Sequence, residues 1–221
     1  MKKTLTLLLC VVSIAASAQE FRYGFYVSPT KNTFVPEGDL YTPYGESSGI
    51  QYGFIFEQTF GKGEHIAINA GLTLDYFQSG LESINVGQNK DTKQWDVRPR
   101  YFEIPVALKL RTGQLGKITP YIQGGATYAS AIRARGDYTL NGMRLDSDLD
   151  FIGKDNPNGL NYLPKNASVD LGIGTEIAIK DGASVFLAFY FKNGIMNVFE
   201  DNTDKDDIFT RQFGVSIGGL F

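Results

Sequence analysis

The last residues of the sequence are Phe209-Thr210-Arg211-Gln212-Phe213-Gly214-Val215-Ser216-Ile217-Gly218-Gly219-Leu220-Phe221. Odd-numbered positions in this stretch are mostly apolar, and even-numbered positions are mostly small or polar. Successive side chains of a β-strand point to opposite faces, so the alternation predicts a strand with one apolar face. A soluble domain has little reason to end such a strand on an aromatic residue.

Seven further segments repeat this alternation, at residues 21–28, 50–60, 66–76, 102–111, 120–133, 169–179 and 185–192. The segment from Ile66 to Tyr76 is the most regular of them. Pro105 interrupts the fourth segment, where it would remove a hydrogen-bond donor if the strand were central. The pattern predicts an all-β fold with eight main strands.

Composition agrees with one all-β domain. A length of 221 residues suits a single barrel or sandwich, and 25 glycines with 13% aromatic residues suit many strands and turns. The formal net charge is −3, and no basic stripe is present in the sequence. This mild acidity argues against a nucleic acid as partner.

The first 18 residues have the three parts of a secretory signal peptide. Lys2 and Lys3 precede an apolar run, and Ala16-Ser17-Ala18 provides the small residues of a cleavage site. We expect cleavage after Ala18, which leaves residues 19–221 as one domain. Cys10, the single cysteine, lies in the apolar run, so no disulfide is expected in the mature chain. A lipoprotein signal at Cys10 is the alternative, but it would leave a very short apolar segment.

The connections between the predicted strands alternate in length. Those at residues 61–64, 112–119 and 180–182 are short, and the last contains the hairpin signal Asp181-Gly182. Those at residues 30–47, 78–96, 134–166 and 193–207 are long and polar. This asymmetry predicts an eight-stranded antiparallel up-and-down transmembrane β-barrel with short periplasmic turns and long extracellular loops. A soluble β-sandwich or lipocalin-like binding protein is the alternative, and a sandwich gives no cause for the asymmetry.

Aromatic residues on the apolar faces fall near the two ends of the predicted strands. Such belts are expected where a barrel meets the two membrane interfaces. The belt at the short turns would contain Phe21, Phe60 and Phe221, and the belt at the long loops would contain Tyr76, Phe102, Tyr128, Phe191 and Phe209.

Two neighbouring stretches carry a family resemblance. They are Tyr101-Phe102-Glu103-Ile104-Pro105-Val106-Ala107-Leu108-Lys109 and Pro120-Tyr121-Ile122-Gln123-Gly124-Gly125-Ala126. With them the mature chain resembles, over essentially its whole length, the PorT-like outer-membrane β-barrel family common in Bacteroidetes. The resemblance implies an eight-stranded barrel with a proline at the position of Pro105 and without established catalytic residues. One family member is linked to a protein-secretion system.

Charged residues of both signs lie on the predicted inward faces. Burying them unpaired would be expensive, and the interior of an eight-stranded barrel is about filled by side chains. We therefore predict a paired polar network, with a path for a solute or proton as the alternative. Its members are Glu57, Asp75, Glu103, Lys109, Arg111, Asp170, Glu176 and Lys192.

The terminal strand resembles the insertion signal that directs bacterial outer-membrane barrels to their assembly machinery. Its predicted outward residues are Phe213, Val215, Ile217 and Phe221, with Phe221 level with Phe21. Gly219 departs from the pattern, because it occupies an outward position that is usually hydrophobic or aromatic.

Catalytic and ligand-binding patterns are weak. His65 is the only histidine and no serine can be assigned to it, so a Ser–His lipid-modifying enzyme is only an alternative. Gly172 and Gly174 lie within a predicted strand and open no helix, unlike a dinucleotide fingerprint.

Two acidic segments could be considered for calcium. Asp146-Ser147-Asp148-Leu149-Asp150 begins like an EF-hand loop, but Phe151 and Pro157 occupy the positions that require Gly and Glu. A nonstandard site there, or near Asp201, Asp204, Asp206 and Asp207, is an open alternative to a solvated acidic loop. We expect no metal and no cofactor.

The sequence therefore predicts an integral protein of the Gram-negative outer membrane without enzymatic activity. Its role would be structural, adhesive or accessory to secretion or to the envelope. The expected partners are outer-membrane lipid, the barrel-assembly machinery, and secretion or envelope proteins.

Overall fold

The computed structural model describes residues 20–45, 47–61, 65–84, 91–152, 160–180, 182–201 and 206–221. The expected signal peptide and Asp181 lie outside these residues. No helix among the described residues is long and apolar enough to cross a membrane. The described residues form thirteen strands: β1 (Glu20–Pro36), β2 (Tyr41–Tyr44), β3 (Gly49–Phe60), β4 (Ile66–Tyr76), β5 (Ser79–Ile84), β6 (Thr92–Arg111), β7 (Ile118–Leu140), β8 (Met143–Asp150), β9 (Leu160–Tyr162), β10 (Lys165–Ala178), β11 (Ser184–Gly194), β12 (Phe199–Asp201) and β13 (Ile208–Leu220).

Eight long strands pair antiparallel in a closed ring. Their order around the ring is β1, β3, β4, β6, β7, β10, β11 and β13, which is also their order along the chain. The pairing of β6 with β7 joins the two halves, and β13 returns to pair with β1. The prediction of an all-β antiparallel fold is thus confirmed.

The first and last strands meet at the seam of the ring. The backbone nitrogen of Tyr23 donates to the Phe221 carbonyl at 3.0 Å, and Phe221 N donates to the Tyr23 carbonyl at 2.8 Å. Phe221 therefore lies opposite Tyr23, two residues farther along β1 than the predicted level of Phe21.

The two faces of the ring invert the usual distribution of apolar and charged residues. Phe21, Phe54 and Ile173 on the outward face are 60%, 63% and 61% exposed, whereas Glu57 and Lys109 on the inward face are 0% and 2% exposed. Soluble proteins bury large apolar side chains and almost never bury unpaired charges. The outward face therefore requires apolar surroundings, and the alternative of a soluble sandwich is wrong for this ring.

Pro105 lies in β6, which pairs with β4 on one side and with β7 on the other. The strand is therefore central, which is the position where a proline removes a hydrogen-bond donor from the sheet. On the β4 side the register goes from Val106 opposite Ala70 to Glu103 opposite Thr73, so Pro105 has no paired residue there. A Cβ on Gly71 would lie 3.0 Å from Pro105 Cγ. The missing donor is thus accommodated where the β4–β6 ladder is locally interrupted beside a glycine.

The four long connections contain strands where irregular loops were predicted. β1 continues to Pro36, β6 begins at Thr92 and β7 continues to Leu140, while β2, β5, β8, β9 and β12 lie within the connections. In these extensions the apolar residues point inward and the polar residues point outward, which is the reverse of the main ring. Within one long strand, the apolar residues therefore point outward in the main ring and inward in the extension.

The inward side chains of the extensions form a hydrophobic core at the long-loop end, here called the apolar cap. Phe34 packs against Phe77 and Phe199 with ring centroids 5.3 and 5.0 Å apart, and Tyr162 packs against Phe199 at 4.9 Å. The remaining members include Tyr41, Leu81, Trp95, Val97, Tyr101, Tyr138, Phe151, Leu160, Val198 and Ile208.

Candidate functional site

The inward charges nearest the short turns form one group, here called the rim cluster. Arg22 donates to Glu57 Oε1 at 2.9 Å and to Glu176 Oε2 at 2.8 Å. Lys109 Nζ donates to Glu57 Oε2 at 2.8 Å and also contacts Glu176. Arg111 bridges the same two carboxylates, with 3.2 Å between its Nε and Glu176 Oε1. Each carboxylate therefore accepts from three cations, one on β1 and two on β6.

Tyr121 gives the rim cluster a nonpolar boundary on its inner side. The Lys109 ammonium lies 4.0 Å from the centroid of the Tyr121 ring, which is a favourable cation–π distance. Because these charges are removed from water, their multiple hydrogen bonds are needed to offset the cost of desolvation. The arrangement is a structural brace, and its buried groups are all engaged with one another.

A second group of charges, here called the central cluster, lies farther toward the long loops. Lys192 Nζ and Gln51 Nε2 both donate to Glu103 Oε2 at 2.6 Å. Gln212 Nε2 donates to Asp75 Oδ2 at 2.9 Å.

Asp170 completes the central cluster. Ser168 Oγ donates to Asp170 Oδ1 at 2.6 Å, and the Thr127 hydroxyl contacts the other carboxylate oxygen. The central cluster therefore has three carboxylates around Lys192, with neutral donors satisfying most of the carboxylate oxygens.

The interior between the two clusters is not completely filled. A cavity of about 100 Å³ is lined by Tyr26, Gln123, Tyr190 and Lys192, among others. A space of about 20 Å³ separates the central cluster from the apolar cap. These volumes hold a few waters at most, and the apolar cap lies beyond them.

The structure places the eight charged residues predicted from the sequence on the inward face and brings them together as two clusters. Sequence reasoning missed the role of Arg22, which links Glu57 and Glu176. Its inward parity on β1 was visible, but its partners were not. It also missed the neutral donors Gln51 and Gln212, which resemble ordinary lumen residues until their carboxylate partners are known.

The predicted insertion-signal residues lie on the outward face of β13. Phe213, Ile217 and Phe221 are exposed there, and Val215 is half-buried. The Phe221 ring lies 6.4 Å from that of Tyr23 and 6.3 Å from that of Phe25, measured between centroids.

His65 is exposed at the short-turn rim, beside the first residue of β4. It lines a cavity of about 390 Å³ that also contains Ser184. The Ser184 hydroxyl, however, accepts from Arg22 at 3.4 Å. Among the described residues no hydrogen bond joins His65 to Ser184, so the geometry of a nucleophile and its base is not formed.

The acidic segment at residues 146–150 forms β8. Asp148 of this strand accepts from Arg135 at 2.5 Å. This ion pair engages a carboxylate that a calcium site in this segment would need as a ligand. No group of three acidic, histidine or cysteine side chains suited to a metal was found in the described part of the chain. Asp204, named with the second acidic segment, lies outside that part.

Comparison with solved structures finds outer-membrane proteins of low sequence identity. The outer membrane protease OmpT from Escherichia coli is 10% identical (TM-score 0.48; 93% of this chain and 97% of that one covered). Neisserial surface protein A is 8% identical, with a TM-score of 0.47 and with 90% of this chain and 95% of that one covered. OprG from Pseudomonas aeruginosa is 12% identical, with a TM-score of 0.44 and with 93% of this chain and 97% of that one covered. No curated protein matches the chain.

The model of the outer membrane protein beta-barrel domain family matches residues 17–200. With the closed ring, the exposed apolar band and the buried charges, this match settles the class of protein. The chain belongs to the outer membrane protein beta-barrel domain family, and its location is the outer membrane.

Proposed function

We propose that this outer-membrane β-barrel is a closed, non-enzymatic barrel that presents a rigid β-platform at the cell surface. Its role is structural or adhesive. The platform consists of the strand extensions and of the short strands that surround the apolar cap.

The observation that carries this proposal is the apolar cap. Phe34, Trp95, Tyr101, Tyr162 and Phe199 fill the long-loop end and are at most 2% exposed. A water-filled channel would need polar walls along its whole length. The cap instead stacks aromatic rings directly above two clusters of buried charge, so the barrel favours rigidity over conduction.

The proposal includes an orientation in the membrane. The barrel has eight strands in up-and-down order, with the short turns and both ends of the mature chain in the periplasm and the long connections outside the cell. The alternation of short and long connections supports this orientation. In it, the aromatic side chains at both ends of the outward band lie at the two interfaces.

Assembly and partners form a second part of the proposal. Residues 1–18 are removed as a signal peptide, and the barrel-assembly machinery recognises the terminal strand. The resemblance to the PorT-like family of Bacteroidetes supports secretion or envelope proteins as partners of the platform. The exposed side chains of β8 offer a contact surface for them.

Electrical recording across a planar bilayer tests the closed barrel. Purified protein that migrates as a heat-modifiable band should give no steady, reproducible conductance. A Phe34→Ala/Tyr162→Ala variant, which removes two rings from the cap, should conduct at least as often as the wild-type protein. A steady wild-type conductance would contradict the proposal.

A further inference from the structure

Four arginines form a compact array on the outward face just beyond the apolar band. Arg98 and Arg100 lie two residues apart on β6, and Arg133 and Arg135 lie two residues apart on β7, so each pair shares the outward face of its strand. The register places Arg98 directly opposite Arg135 and Arg100 directly opposite Arg133. Like charges at directly opposed positions destabilise a sheet, so this array requires a compensating anion.

Protein carboxylates neutralise mainly the half of the array that is distant from the apolar band. Asp137 accepts from Arg98 at 3.2 Å, and Asp148 accepts from Arg135 at 2.5 Å. Arg133 reaches Asp148 only at 3.7 Å, and it shares this carboxylate with Arg135. The near half of the array therefore has little anionic compensation from the protein.

Arg100 has an aromatic partner in place of a carboxylate. Its guanidinium carbon lies 5.0 Å from the centroid of Tyr76, whose hydroxyl is 3.2 Å from that of Tyr52. Among the described residues no ion pair involves Arg100. The tyrosine ring holds the guanidinium at the edge of the apolar band and leaves its N–H groups available to a ligand.

The height of the array matches the headgroup layer of a bilayer. Arg100 precedes Phe102 by two positions, and Phe102 is the outward apolar residue of β6 nearest the long loops. At about 3.3 Å per residue and a tilt of about 45°, this separation corresponds to about 5 Å along the membrane normal. A headgroup layer is about 5–7 Å thick on each side of the hydrocarbon core.

We propose that Arg100 and Arg133 bind the phosphate of an anionic lipid headgroup in the leaflet at the long-loop side. Guanidinium groups bind phosphate oxygens in a bidentate manner, and each basic residue near an anionic surface strengthens attachment. Lys165, which is exposed on β10 and pairs with Ser130 of β7, adds a third cation at this level. This site rests on the proposed function, because it requires the outward band to lie in lipid.

Native mass spectrometry of lipid retained by the purified protein tests the site. The probes are phosphatidic acid and phosphatidylcholine, offered in equal amounts. We expect the wild-type protein to retain phosphatidic acid preferentially, and the Arg100→Gln/Arg133→Gln variant to retain about tenfold less of it. The Lys117→Gln/Lys180→Gln variant, which removes two cations at the short turns, is the matched control and should retain the wild-type amount.

Heat-modifiable migration first shows that each variant is folded. If the glutamine variant does not fold, Arg100→Lys/Arg133→Lys keeps the charge while losing bidentate geometry, and its retention should be intermediate. Equal retention by wild-type protein and a folded arginine variant would overturn the lipid site. So would stronger binding of inorganic phosphate or a sulfated oligosaccharide than of phosphatidic acid at the same arginines. A protein that inserts into no vesicle of any composition would instead contradict the proposed barrel.

Discussion

Gly24 of β1 packs so closely on Gly219 of β13 that a Cβ at Gly24 would overlap the Gly219 carbonyl oxygen. The contact lies at the seam where the first and last strands close the ring. Gly24→Ala must therefore move one strand away from the other, at a cost of about 1–3 kcal/mol. We expect a smaller fraction of the variant to refold into the heat-modifiable form.

Gly124→Ala is the matched control for this seam. A Cβ at Gly124 would meet Leu171 Cδ2 at 3.5 Å, which is an ordinary van der Waals distance. The control should refold as the wild-type protein does. Equal refolding of both variants would show that the seam tolerates a side chain at Gly24.

Removal of one carboxylate from the rim cluster should be strongly destabilising. Glu57→Gln removes one of the two carboxylates that Arg22, Lys109 and Arg111 share, and loss of one partner of a buried ion pair costs about 3–5 kcal/mol. Denaturant unfolding in detergent micelles should show a loss of this size. Glu57→Gln/Arg111→Gln restores the balance of charge and should recover part of it.

Glu82→Gln is the control for the loss of a single carboxylate. Glu82 is half-buried in β5 and accepts from Gln94 at 2.7 Å, so its substitution should cost about 1 kcal/mol or less. If Glu57→Gln and Glu82→Gln lowered the free energy of unfolding by the same small amount, the rim cluster would not stabilise the barrel.

The sequence predicted the outward band well because its alternation is long and regular. Outward residues such as Ile104 and Leu171 follow one parity throughout the apolar band. Beyond that band the parity of the apolar residues reverses, so that Trp95 and Val97 point inward in the same β6 whose Phe102 points outward. The reversal occurs because the surroundings of the strand change from lipid to water. A prediction that requires apolar residues to point outward ends the strand where the parity reverses, and it therefore assigns the rest of the strand to a loop.

The partners of the buried charges could not be predicted from the sequence. Arg22 and Glu176 are 154 positions apart, and their contact depends on how the strands tilt and stagger around the ring. Parity specifies which side chains enter the interior, whereas their heights depend on the registers of all eight pairings. The apolar cap was missed for a related reason, because it combines residues from four separate connections.

Cysteine labelling in whole cells tests the proposed orientation. The only cysteine, Cys10, lies in the expected signal peptide, so each introduced cysteine would be unique in the mature protein. Met143 beside the β7–β8 turn and Leu115 in a short turn are 66% and 69% exposed. A membrane-impermeant maleimide should label Met143→Cys in intact cells, but Leu115→Cys only after the outer membrane is opened. The reverse result would invert the topology.

Asp96, in the extension of β6 above the apolar band, should make stability depend on pH. Burial raises the pKa of the Asp96 carboxyl and nearby Asp137 adds to this, while Gln78, Arg98 and Arg144 act in the opposite direction. A folded-state pKa above the unfolded value means that folding stability falls as pH rises between the two values. Asp96→Asn should therefore stabilise the protein at neutral pH, by less than about 1 kcal/mol because the group is partly exposed.

Unfolding curves at acid and neutral pH measure this effect. The gain from Asp96→Asn should vanish in acid, where the carboxyl is protonated in both states. Asp39→Asn controls for the loss of one negative charge. A gain that persists unchanged in acid would exclude ionisation of Asp96 as its cause.

Deletion of Phe221 should impair assembly in cells more than folding in vitro. The deletion removes the Phe221 ring and the two backbone hydrogen bonds to Tyr23, whereas Phe221→Ala removes only the ring. Loss of aromatic contacts of this kind costs about 0.5–1.5 kcal/mol, so Phe221→Ala should still fold into vesicles. If the ring is part of an insertion signal, both variants should nevertheless be depleted from the outer membrane. Met143→Ala, an exposed change on β8, should reach wild-type levels, and wild-type membrane levels of Phe221→Ala would exclude the ring as a recognition element.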